Sequence, residues 1–198
     1  MSKAEKKRLH IIEKAALIFN EKGIAGTSID EILEASHTTK GCLYGHFNSK
    51  EELSYASVDY LLQKLTDRRT LMLEKQTTAA AKIFAFLDMN KDPLNSYING
   101  GCPIVNLSTE TDDTNPVIRK KVKHMIETAL KLFSDILKTG VATGEISKAL
   151  DADEFAAKMF MSVEGANAVC RTMNSNKYMH QVIKSLKSEL NTYVLPSA

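Results

Sequence analysis

Thr39-Lys40-Gly41-Cys42-Leu43-Tyr44-Gly45-His46-Phe47-Asn48-Ser49-Lys50-Glu51-Glu52-Leu53 is the stretch that decides how this chain is read. Thr39 can cap a short helix in which Leu43 and Phe47, four residues apart, share one apolar face. Asn48 ends that helix, and Ser49 with Glu52 spells the capping box that opens a longer one. Upstream, Thr27 and Ser28 precede another short helix with Ile29, Ile32 and Leu33 turned inward. Its first turn carries Asp30 and Glu31, where the helix dipole favours acids. The turn Ser36-His37-Thr38 joins the two short helices. Earlier still, Leu9, Ile12, Ala16 and Phe19 recur at helical spacing over residues 5–22, with Gly23 just past the end. Two short helices joined by a tight turn, between longer ones, have the layout of a helix-turn-helix unit.

Charge sharpens this reading. Residues 35–50 contain no Asp or Glu, whereas Lys40, His46 and Lys50 stand among Thr38, Thr39, Tyr44, Asn48 and Ser49. A surface that approaches phosphates tolerates few carboxylates, and hydroxyl, amide and ammonium groups are the donors that phosphates accept. The chain as a whole does not announce such a partner. Lys and Arg number 26 against 24 Asp and Glu, a net charge of +2, so any basic surface is local.

The 198 residues, 43% hydrophobic and 25% charged with 9 Gly and 4 Pro, exclude a disordered or collagen-like chain. Three cysteines at wide spacing, Cys42, Cys102 and Cys170, with no CxxC, argue against a disulfide framework or a zinc finger. No run approaches the roughly 18 apolar residues that span a bilayer, and the N-terminus is not of signal-peptide type. The expectation is a reduced, cytoplasmic protein without membrane contact. Apolar residues recur at three and four throughout while strand alternation is weak, so the fold expected is all-α with about nine helices. After the fourth helix, over residues 50–75, helices are predicted near 78–89, 103–110, 116–139, 152–173 and 177–194. Pro103 and Pro116 stand at first helical positions, and Gly140 is read as a helix stop.

The run from Thr27-Ser28-Ile29 through Lys-Gly-x-Leu-Tyr-x-His-Phe to Ser-Lys-Glu-Glu-Leu closely resembles the DNA-binding domain of TetR-type transcriptional regulators. The firm likeness covers about a quarter of the chain; helix count extends it loosely to the rest. It implies a three-helix DNA-binding domain over residues 1–49 and a larger helical effector-binding and dimerisation domain over 50–198, with helix 50–75 linking them. It also implies that Thr39, Lys40, Gly41, Cys42 and Tyr44 face the groove or the phosphates. Thr27 and Lys50 would hold the backbone from helix N-termini, and His46 would add a donor; Leu43 and Phe47 would pack the recognition helix. The chain departs from the family pattern at three points. His37 stands where Gly is usual in the turn, so either His takes a positive φ or the turn differs. Gly45 falls within the short helix, and Cys42 replaces a frequent hydroxyl residue.

No nucleophile elbow, phosphate-cradling loop or HExxH appears in the remaining sequence, so an enzyme is disfavoured and no cofactor or metal is expected. Met125, Phe133 and Met159 suit a deformable ligand cavity, with Glu164 and Asn167 three apart on one face to orient a polar group; ordinary core is the alternative. The resemblance adds Cys102 and Asn106, from a Gly-Cys helix start with Asn-Leu after it. Cys102 is either a helix-start thiolate with lowered pKa, as in relatives that sense electrophiles, or an inert packing residue. The resemblance further implies a homodimer through the last two helices, with Phe155, Val163, Ala166 and Cys170 on one and Tyr178, Val182, Leu186 and Leu190 on the other. The resulting expectation is a repressor released from a palindromic double-stranded operator by a small-molecule effector. An all-α thiol-dependent enzyme and a protein-only helical adaptor are the rivals; neither needs an acid-free stretch.

Overall fold

A computed structural model of the chain describes residues 1–196, and nine helices make up the architecture of these described residues. They are α1 Lys3–Lys22, α2 Ile29–Ser36, α3 Lys40–Tyr44, α4 Lys50–Leu73, α5 Ala79–Met89, α6 Pro103–Thr111, α7 Pro116–Ala142, α8 Ala152–Thr172 and α9 Lys177–Asn191. The fold is all-α. The chain forms two compact units, one of Met1–Leu65 with Tyr97–Val122 and the other of Thr66–Ser96 with the residues from Lys123 onward. Among the described residues no helix is long and apolar enough to cross a membrane.

In the first unit, Ile11, Ile12, Ala15 and Phe19 of α1 pack with Ile32, Leu43, Phe47 and Leu53 in one cluster. Each large side chain so buried contributes about 1.5–3 kcal/mol, enough to hold a five-residue helix that would not form alone. A second cluster joins Ala16, Leu61 and Ile98. It brings the segment before α6 against the end of α1 so closely that a Cβ on Gly100 would lie 2.7 Å from the Asn20 carbonyl oxygen. Gly100 also has φ +90, and both conditions call for glycine.

In the second unit, α8 and α9 pair along their length, and Phe86 of α5 meets Phe133 of α7 with ring centroids 4.3 Å apart. The Glu145 carboxylate accepts the N–H groups of Ala79 and Ala80 at 2.7 and 2.8 Å, placing a negative charge at the positive end of α5. Among the helices of this unit, the largest shifts from the predicted boundaries are at the ends of α7 and α9. Helix α7 runs through Gly140 to Ala142, because there glycine serves packing rather than termination. A Cβ on Gly140 would lie 2.7 Å from the Ala79 Cβ and 2.8 Å from Ile146 Cδ1. Helix α9 stops at Asn191, short of the expected 194. The following backbone pairs instead with the segment after α7, through an antiparallel bridge of Ile146 with Val194 and the bond from Ser147 N–H to the Tyr193 carbonyl at 2.8 Å.

Candidate nucleic-acid interface

The turn between α2 and α3 sets the angle at which α3 is presented. His37 takes the left-handed conformation, φ 46 and ψ 51. Its N–H donates to the Glu34 carbonyl at 3.2 Å, and the Thr38 N–H donates to the Leu33 carbonyl at 3.1 Å. These two bonds complete a Schellman stop in which histidine occupies the place that glycine usually takes. Of the two possibilities open from sequence, His37 therefore accepts the positive φ. The buried Ser36 hydroxyl donates to the Ile32 carbonyl at 2.6 Å and pairs with the Thr38 hydroxyl at 2.7 Å, stiffening the turn from inside.

Thr39 caps α3 by accepting the Cys42 N–H at 3.2 Å. Leu43 and Phe47 point inward, and the Arg8 guanidinium lies over the Phe47 ring, 4.8 Å from its centre. What remains outward is Thr39, Lys40, Gly41 and Tyr44, with Cys42 half-buried. Apart from its own neighbours and helix backbone, no described residue comes within 4 Å of a Cβ built on Gly41, so the bare backbone there is not needed for internal packing and leaves room for an external surface. Lys40 and Lys50 take part in none of the ion pairs formed among the described residues. Gly45 is not inside α3: it follows Tyr44 as the residue that ends the helix.

The remaining sequence-derived positions divide. Lys50 is the first residue of α4, half-buried, and His46 is half-buried with its ring tilted against Phe47. Thr27 does not present its hydroxyl to solvent. It is 2% exposed and its Oγ1 donates to the Gly23 carbonyl at 2.7 Å. The cap of α2 is Ser28, in a full capping box with Glu31. Only half of the expected box forms at α4: Ser49 accepts the Glu52 N–H, but the Glu52 carboxylate turns to the Asn48 backbone and side-chain amides, both at 2.8 Å. Those two bonds, first the backbone one, hold the Glu52 carboxyl below its ordinary range, with the charge of Arg8 adding to them. Arg8 was not legible as part of this region; only the packing of α1 on Phe47 brings its charge there.

The expected effector residues separate between the units. Cys102 caps α6, as Pro103 at the first helical position predicts, but makes no side-chain capping bond. Asn106 is occupied within the first unit, donating to the carbonyls of Asn20 and Gly100 at 2.9 and 3.1 Å. Phe133 and Met159 of the second unit have no accessible surface and pack as core, while Met125 and Asn167 are buried and Glu164 is partly exposed. The expected dimer residues differ in exposure. Phe155, Val163, Ala166, Cys170, Leu186 and Leu190 are buried within the chain itself, Val182 is half-buried and Tyr178 is exposed. The outward stripe of α8 is Met161, Gly165, Ala168 and Val169, with Met161 64% exposed.

An N-terminal helix-turn-helix with a cation-bearing, carboxylate-free outer face, followed by a second helical unit, defines a DNA-binding regulator. The chain belongs to the TetR family of transcriptional regulators. Residues 11–56 match the family described as bacterial regulatory proteins, tetR family, and residues 79–186 match the tetracyclin repressor-like C-terminal domain. A TetR transcriptional regulator of Chloroflexus aurantiacus, known as a crystal structure, is 33% identical, with 98% of both chains covered and a TM-score of 0.93. The TetR-family regulator of Cytophaga hutchinsonii is 31% identical over 100% of this chain and 99% of its own, with a TM-score of 0.92. Among characterised relatives, the HTH-type transcriptional repressor DhaR of Mycobacterium sp. (strain GP1) is 26% identical over 159 residues, 80% of this chain and 79% of DhaR.

Proposed function

We propose that the chain acts in the cytoplasm as a homodimeric repressor of a palindromic operator, released when a small-molecule effector enters the second unit. The observation that carries the reading is the division of the α3 region into a buried face, Leu43 and Phe47, and an outward face of Thr39, Lys40, Gly41 and Tyr44 with no acid from 35 to 50. One such helix reads few base pairs, so specificity requires two copies about 34–36 Å apart on one face of the duplex. The stripe Met161, Gly165, Ala168 and Val169, spaced along one side of α8, supplies a surface that can meet its own copy across a two-fold axis. Release is a population shift: the effector favours a conformer whose paired α3 helices no longer match successive major grooves. Helix α4 begins beside the DNA-facing region and continues into the second unit, which gives the shift a continuous element to act through.

The test is a mobility-shift and footprinting assay on the region upstream of the chain's own gene. The expected result is protection of an inverted repeat by two chains or a multiple of two, with binding that weakens steeply as salt rises. Binding no tighter than to unrelated duplex at equal salt would overturn the reading.

A further inference from the structure

Helix α4 carries a charge that the regulator reading does not use. Arg69 is only 6% exposed, on the inward stripe of α4 with the buried Leu73 one turn later. Its Nε has no hydrogen-bond partner, and it joins none of the ion pairs formed among the described residues. Its neighbour Arg68, by contrast, donates to the Met89 carbonyl at 3.4 Å. Burial lowers the pKa of Arg69. A guanidinium remains protonated in proteins, so burial cannot relieve it by neutralisation as it would a lysine. Buried charges are ordinarily paired, and an unpaired one calls for a partner such as a ligand from outside the chain.

The surroundings narrow the class of partner. Thr66, one turn before Arg69, brings its hydroxyl 3.7 Å from the Met125 sulfur of α7, and Arg68 ties the same stretch to the end of α5. Those two helices contribute Met125, Phe86 and Phe133, all buried, to the same unit. A group that satisfies Arg69 is anionic, and the buried apolar side chains that α5 and α7 bring to the same unit favour an apolar remainder. The planar fork of donors on arginine matches a carboxylate or a phosphate in bidentate fashion.

We infer that Arg69 anchors the effector, and that the effector is a small amphipathic organic anion whose carboxylate or phosphate seats on this guanidinium while its apolar part lies among the α5 and α7 side chains. The inference rests on the reading of the second unit as effector-binding. Its test is thermal unfolding of the full chain with four probes that share an eight-carbon chain: octanoate, octyl phosphate, octanol and octylamine. One or both anions should raise the wild-type Tm saturably, by about 5–10 °C at a hundredfold excess over Kd, and octanol and octylamine should leave it in place. The larger of the two anion shifts tells which headgroup the site takes. R69M should abolish the shift and R69K should keep part of it. Without ligand, R69M should unfold no earlier than wild type, since an unpaired buried charge is removed. Shifts that ignore the headgroup, shifts equal in R69M, or an unliganded R69M that unfolds several degrees early would each overturn the assignment. The upstream-DNA assay keeps the two readings apart. Failure there with an anion-selective Tm shift removes the operator reading alone, and operator binding without such a shift removes the Arg69 assignment alone.

Discussion

The Asn106 side-chain amide donates to the Asn20 main-chain carbonyl at 2.9 Å, and the Asn20 amide in turn donates to the carbonyls of Asn99 and Gly101 at 2.6 and 3.1 Å. One turn further along α6, Glu110 accepts the Ala25 N–H at 2.8 Å. Helix α6 is thereby fastened to the end of α1 and to the loop that leads into α2. Replacing Asn106 with Ala leaves the Asn20 and Gly100 carbonyls short of a donor and should lower stability by about 1–3 kcal/mol. Urea unfolding measures this, and an unchanged midpoint would show that the strap is dispensable.

Lys40 is exposed and Lys50 half-buried, both beside the outward face of α3 and both free of ion pairs among the described residues. If each neutralises a phosphate, K40A and K50A should each weaken binding to all sequences alike and reduce the slope of log K against log salt by about one. A variant whose slope equals that of wild type has lost no phosphate contact. Substitution of the half-buried Cys42 should instead alter which sequence is preferred.

His37 sits at φ 46, where an L side chain is strained by about 1–2 kcal/mol relative to glycine. H37G should therefore raise Tm by about 2–4 °C for each kcal/mol relieved. H37V, β-branched and unable to bond locally, should lower it. A fall in Tm for H37G would mean that the imidazole makes a contact worth more than the strain.

Met161 and Val169 lie outward on α8, whereas Leu186 is buried against the same chain. If this face forms the proposed homodimer, V169D should dissociate it and leave each chain folded; L186D should unfold the chain. Sedimentation velocity with far-ultraviolet circular dichroism separates the two effects. A V169D protein that stays dimeric and binds operator normally would move the interface elsewhere.

The Glu31 carboxyl is lowered to about 2, first by the hydrogen bond from Lys22 at 2.5 Å and then by the Ser28 backbone and hydroxyl. A folded-state pKa below the unfolded one contributes stability that is fully present above the unfolded value, near 4.5, and is lost as pH falls through about 2. Thermal unfolding between pH 7 and 2.5 should show wild type losing stability faster than E31Q as pH falls below 5. Parallel curves would assign the loss to other carboxylates.

Much of the fold was legible because local signals agreed with tertiary packing. Ser28, Thr39 and Pro103 all mark helix starts where the structure has them. The misreadings fall where a residue serves a distant partner. Gly140 resembles a stop in sequence, but its missing Cβ admits Ala79 and Ile146; residues past Asn191 continue a helical pattern yet pair with the chain near Ile146. At the site, the exposed face of α3 could be read because the acid-free run is contiguous. The burial of Thr27 could not, since its acceptor on Gly23 depends on how the α1–α2 loop closes. Arg69 carried no signal at all in sequence. Adjacent Arg68 and Arg69 look alike there, and only burial distinguishes them.

Leu43 and Phe47 hold the recognition segment in place from one side, and Gly41 and Tyr44 project from the other into space the rest of the chain leaves open. Substitutions at 40, 41, 42 and 44 can thus accumulate without disturbing the core. If these positions read the target, lineages descended from this protein have a route to new target sites through a handful of codons while the scaffold stays unchanged, and drift in the target is tied to positions that a folding screen would pass as neutral.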